Sequence, residues 1–117
     1  MEVPIEVIKK DELKWAVVEA LTVMTAYNRG NMLYVSPTDI FKVYNALPRV
    51  KPISKTASKL TVIKYYLKHI SESEFGLGTY NTKTKTYYLI NTRKIKDITG
   101  NNMWEIEGLL ATVIMDA

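Results

Sequence analysis

No cysteine occurs in the 117 residues, which excludes disulfides, thiol catalysis and thiolate-bound zinc or iron–sulfur centres. His69 is the only histidine, so a multi-histidine metal site is excluded too. No apolar run approaches the roughly 20 residues of a membrane span. The opening MEVPIEVIKKDE lacks the apolar core and small-residue cleavage site of a secretory signal, so the expected location is the cytoplasm, with no membrane partner. Glutamine is absent and lysine far outnumbers arginine, a bias compatible with a thermophile.

Carboxylates in pairs are also scarce. Asp11/Glu12 sits where a helix should begin, Glu72/Glu74 lies in a polar break, and Glu105 and Glu107 diverge by about 200° on a helix. None is poised for acid–base or two-metal chemistry, so no enzyme, metal or cofactor is expected. Glu72 and Glu74 around a magnesium ion would be the arrangement that revived a nucleic-acid enzyme. The stretch Gly76-Leu77-Gly78-Thr79 lacks the third glycine and the lysine-serine or lysine-threonine ending of nucleotide-binding loops. Its glycines suit close packing or a bulge in a strand.

What is present is the composition of one globular domain spanning 1–117, with 47% hydrophobic and 24% charged residues. Leu13, Val17, Ala20, Leu21, Met24 and Tyr27 recur at helical spacing, with Asp11 as the cap and Asn28-Arg29-Gly30-Asn31 as the stop. Met32 to Val35 suits a short strand. Ser36-Pro37-Thr38-Asp39 is a helix start, with a serine cap, proline at the first position and an acid in the first turn. That second helix ends at Pro48, and a third is expected from near Ser54 to Ile70. Glu74–Tyr80 and Thr86–Ile90 read as a β-hairpin around the lysine-bearing tip 81–85. Asn91 to Lys96 reads as a basic segment leaving the hairpin, and a strongly apolar last helix runs from about Asn102 to Met115.

The third helix has two sides. At 100° per residue Leu60, Ile63, Leu67 and Ile70 share a core sector, with Thr56 inside it. Lys55, Ser58, Thr61, Val62, Tyr65 and His69 fall opposite, and Lys59, Lys64 and Lys68 lie on the flanks. No acid occurs between Ser54 and Ile70, although solvated helix faces usually mix both signs in i, i+4 pairs. From Arg49 to Lys96 eleven basic residues stand against Glu72 and Glu74, a net +9; the whole chain carries +4, so the remainder carries −5. Segregation of this kind is the electrostatic footprint of a phosphate-binding face. His69, at the outward end of the helix, reads as solvated or as a phosphate contact.

The order helix, strand, helix, helix, β-hairpin resembles the winged helix-turn-helix superfamily of DNA-binding domains, over about Asp11 to Ile90, with the last helix as an appendage. The resemblance lies in element order and not in a residue signature. It implies an α+β winged helix-turn-helix fold and a double-stranded DNA-binding transcriptional regulator. Ser58, Thr61, Val62 and Tyr65 would then lie near the bases. Lys55, Lys59, Lys64 and Lys68 would lie on phosphates, Arg49 and Lys51 beside them, and Lys83 and Lys85 on the wing tip. Trp104, Ile106, Leu109, Leu110 and Val113 make the last helix broader in apolar surface than one small core requires, so a homodimer through it is expected. A protein-interaction or assembly module of replication or transcription machinery is the alternative use of such a domain.

Overall fold

The computed structural model describes residues 5–80 and 88–117. Its elements are α1 (Ile5–Lys10), α2 (Glu12–Tyr27), β1 (Leu33–Val35), α3 (Pro37–Ala46), α4 (Ala57–Ser71), β2 (Gly78–Tyr80), β3 (Tyr88–Ile90), α5 (Thr92–Thr99) and α6 (Met103–Ile114). The fold is α+β, with six helices among the described residues and a small antiparallel sheet in the order β1-β3-β2. Three sequence-derived starts rest on visible capping. Asp11 accepts from the backbone N–H of Lys14 at 3.1 Å. Ser36 and Asp39 form a reciprocal capping box, and Asn102 caps α6 through Trp104 and Glu105. Each satisfies backbone donors that a helix start leaves unpaired.

β3 is the central strand. Val35 lies opposite Tyr88 and Leu33 opposite Ile90 on one side, while Gly78 faces Ile90 on the other. The two-residue period turns Tyr88 and Ile90 into the core. A Cβ on Gly78 would stand 2.5 Å from the Leu89 carbonyl oxygen, so glycine there lets two backbones approach. The first hairpin strand begins at Gly78 and not at Glu74: Gly76 N–H bonds back to Ser73 O at 2.9 Å, and Gly76 has φ +62. A turn therefore occupies the residues expected to be extended. The hairpin tip with Lys83 and Lys85 lies outside the described residues.

The stretch Asn91 to Lys96, read as a basic segment leaving the hairpin, is the cap and first turns of a helix. Asn91 caps α5 by accepting from Lys94 N–H at 2.9 Å, Thr92, Ile95 and Thr99 bury one face, and Gly100 ends the helix in the left-handed region. α5 is tied to the α2–β1 loop. Asn28 Nδ2 donates to Thr92 Oγ1 at 2.8 Å, Thr92 Oγ1 donates to Gly30 O at 3.0 Å, and Lys96 Nζ donates to Asn28 O at 2.6 Å. Lys96 is thereby committed to structure, and the stop signal after α2 doubles as the anchor for α5.

α6 packs most heavily on α2 and also meets α1, α4 and α5. Ile106, Leu110, Ala111, Val113 and Ile114 are all buried in the single core. This corrects the assignment of Ile106, Leu110 and Val113 to a contact with a second copy. Several neighbouring helices take up the apolar surface that the sequence assigns to a partner. Half-buried Leu109 packs against that core, and Trp104, 86% exposed, remains outside it.

Candidate nucleic-acid interface

The sequence places the start of the third helix near Ser54; α4 begins at Ala57. Thr56 Oγ1 accepts from Lys59 N–H at 3.3 Å and is the cap. Thr56 is therefore exposed at the helix end and not part of the core sector, and Lys55 precedes the helix instead of lying on its outward face. Ser54 and Thr56 are both capping types, and the later one wins because Ile53 is held back. Asn45 of α3 donates to Ile53 O at 3.0 Å and accepts from Ile53 N–H at 2.9 Å, and the Ile53 side chain is buried. These bonds pin the α3–α4 connection. Arg49 and Lys51 stand exposed along it, Arg49 with φ +63.

On α4 the buried side consists of Ile63, Tyr66, Leu67 and Ile70. It is rotated toward Tyr66 relative to the expected sector, and Leu60 is only half-buried. Tyr66 reaches under α2, its hydroxyl 3.5 Å from Asp11 Oδ2 and its ring 5.9 Å from Lys14 Nζ. Burial, then the Asp11 carboxylate, pushes the Tyr66 phenol above its ordinary pKa.

That rotation moves three expected contacts. Val62 is half-buried and packs against the core, so it does not lie outward. Lys59 turns toward α2, where Nζ lies 3.7 Å from Glu12 Oε1; the acid missing from α4 is supplied by another element. His69 is not simply solvated, because Nε2 donates to Val113 O at 2.9 Å and joins α4 to the end of α6. A carbonyl only accepts, so Nε2 carries the proton.

What remains outward is Ser58, Thr61, Lys64, Tyr65 and Lys68. Thr61 donates to Ala57 O at 3.1 Å, leaving its methyl and the hydroxyl lone pairs for a partner. Tyr65 is 54% exposed, with its ring 5.8 Å from that of Tyr66 and 6.5 Å from that of His69. Beside this face a groove of about 280 Å³ runs between Ser36, Pro37 and Thr38 at the start of α3 and Leu60, Thr61 and Lys64 of α4. The Asp39 carboxylate already accepts from Ser36 N–H at 2.9 Å, offsetting part of the positive helix end there, and among the described lining residues Lys64 brings a formal positive charge.

No protein-family model, curated protein or solved structure matches this chain. The functional reading therefore rests on its own residues. Among the described residues no group of three acids or histidines converges as metal donors, and no helix is long and apolar enough to cross a membrane. One carboxyl pair escaped the sequence: Glu19 of α2 meets Glu107 of α6, partners 88 positions apart with no local pattern to reveal them.

Proposed function

We propose that the chain is a winged helix-turn-helix protein that binds double-stranded DNA as a transcriptional regulator. The observation that carries this reading is the outward side of α4. Thr61, Lys64, Tyr65 and Lys68 follow one another at helical spacing on an exposed, acid-free face, and the start of α3 supplies the opposite wall of the adjoining groove. An α-helix fits the major groove, where a threonine methyl meets thymine and hydroxyls reach base edges. In this reading Ser58, Thr61 and Tyr65 approach bases. Lys64 and Lys68 neutralise phosphates, with Arg49, Lys51 and Lys55 along the connection as further backbone contacts. Element order supports the assignment: helix, strand, two helices and an antiparallel strand pair follow in the sequence α2, β1, α3, α4, β2, β3.

Lys59 and Val62 drop out, for the packing reasons above. The experiment is a titration of the chain with mixed-sequence duplex DNA at about 50 and 200 mM salt. Several neutralised phosphates make affinity fall by orders of magnitude over that range. No binding at the lower salt, or affinity indifferent to salt, overturns the reading. Selection from a random DNA pool then identifies the site, and a palindromic result reports a two-fold assembly.

A further inference from the structure

A second surface, built from α1, α5 and α6, has a different character. An open groove of about 1080 Å³ is lined by Ile5, Phe75, Ile98, Trp104 and Leu109, with Glu6, Glu105 and Glu107 along it. We propose that it docks an amphipathic helix of another protein, one with aliphatic side chains on the buried face and lysine or arginine on the flanks.

Three observations support this occupant. Trp104 is 86% exposed and Ile98 47% exposed, and a rigid aromatic ring beside aliphatic surface is the type of anchor that dominates protein interfaces. Gly108, in the middle of α6, has helical backbone, and a Cβ built on it would meet nothing within 4 Å. Among the described residues no packing calls for glycine there, although glycine weakens a helix relative to alanine. A bare stretch of helix backbone on the groove wall instead permits close approach by a second helix, the helix-in-groove mode of recognition.

The third observation is charge. Among the described residues three carboxylates line the groove against the single ammonium of Lys9, and that ammonium is 5.1 Å from the Trp15 ring of α2. A surface acidic on an otherwise basic chain selects a cationic partner. It also disfavours two-fold pairing of this chain through the same groove, since each copy would bring its own Glu6, Glu105 and Glu107 toward the other's.

The test uses the full chain and two fluorescein-labelled peptides of about 14 residues, roughly four helical turns. Both carry leucine at helical spacing, one with lysine and the other with glutamate at the remaining positions. Anisotropy should show the lysine peptide binding at least tenfold tighter. Trp104→Ala should weaken it tenfold or more, and Glu6→Lys with Glu105→Lys should reverse the preference between peptides. Gly108→Ala should raise the melting midpoint while weakening binding, a split that a purely structural glycine would not give. Equal affinity for the two peptides, or binding indifferent to Trp104→Ala, overturns the proposal. So does a concentration-dependent doubling of mass in sedimentation that Trp104→Ala abolishes, because the groove would then hold a second copy of this chain.

Discussion

Glu19 on α2 and Glu107 on α6 meet carboxyl to carboxyl where the two helices pack, and Glu19 Oε1 is buried with no hydrogen-bond donor. Two acceptor-only carboxylates do not satisfy each other, whereas a proton on Glu19 makes a hydrogen bond between them. Burial, then the hydrogen bond and charge of Glu107, push Glu19 up to about 8, against the pull of Lys9 from α1. The phenol of Tyr44 on α3 is raised by burial and then by the charge of Glu19.

This pair makes stability depend on pH. Glu19 holds a proton in the folded chain that the unfolded chain has already released at neutral pH, so the folded state binds more protons and stability falls as pH rises. The contribution is complete below the ordinary value of 4.5 and is lost up to about 8. The thermal midpoint should therefore fall as pH rises from 6 to 9. Thermal unfolding followed by circular dichroism across that range checks it. Glu19→Gln, which keeps a donor at all pH values, should flatten the profile and raise the midpoint at pH 8. A wild-type midpoint constant from pH 6 to pH 9 would show that Glu19 is ionised in the fold.

Gly78 should tolerate no side chain. Its Cβ position is 2.5 Å from Leu89 O and 3.3 Å from Ile90 Cα, both backbone atoms of the paired strand, so relief requires moving β2 away from β3. Gly78→Ala should cost about 1–3 kcal/mol as an overpacking substitution, read by denaturant unfolding. Gly108→Ala serves as the internal control, because it meets open space and should shift stability the other way.

Much of this architecture was legible because capping and periodicity act locally. Asp11, Ser36 and Asn102 announce helix starts within a few residues, and α2 and α6 are long enough for their apolar pattern to repeat. α5 escaped because its eight residues offer only Thr92, Ile95 and Thr99 to the core; two of the three are polar, and the anchors in residues 28–32 are distant in sequence. α1 has one buried residue, Ile8, too few for a period. In α4 helical spacing alone does not rank Leu60 against Tyr66 as the inward residue; α2 does so, through the contacts of Asp11 and Lys14 with Tyr66. The excess apolar surface of α6 could be assigned to the core only once its several neighbours were known.

Asn45 should be a stability residue with a functional consequence. It makes two hydrogen bonds with the main chain of buried Ile53, and Asn45→Ala leaves both backbone groups without a side-chain partner, at a cost of about 1–3 kcal/mol. Asn45→Asp keeps the acceptor for Ile53 N–H but loses the donor to Ile53 O, so it should fall between wild type and alanine. Differential scanning calorimetry gives the ranking. Since the same bonds hold the connection bearing Arg49 and Lys51, Asn45→Ala should also weaken duplex DNA binding at temperatures where the domain remains folded.

The rotation of α4 makes a sharp distinction among its lysines. Lys64 and Lys68 lie on the exposed side, whereas Lys59 Nζ is 3.7 Å from Glu12 at a site where the two side chains are 33% and 60% exposed. If the outward face meets the phosphate backbone, Lys64→Ala with Lys68→Ala should weaken binding to every duplex and lower the salt slope of log K by about 1.8, near 0.9 for each lost phosphate contact. Lys59→Ala should leave both quantities nearly unchanged and remove an exposed ion pair worth about 0–1 kcal/mol. Thr61→Ala should instead alter the ranking of sites in a selection experiment, because a side chain near base edges discriminates among sequences while a phosphate contact does not. Equal losses from Lys59→Ala and from the Lys64/Lys68 pair would mean that the DNA approaches α4 from the side of α2 and not across the face of Thr61 and Tyr65.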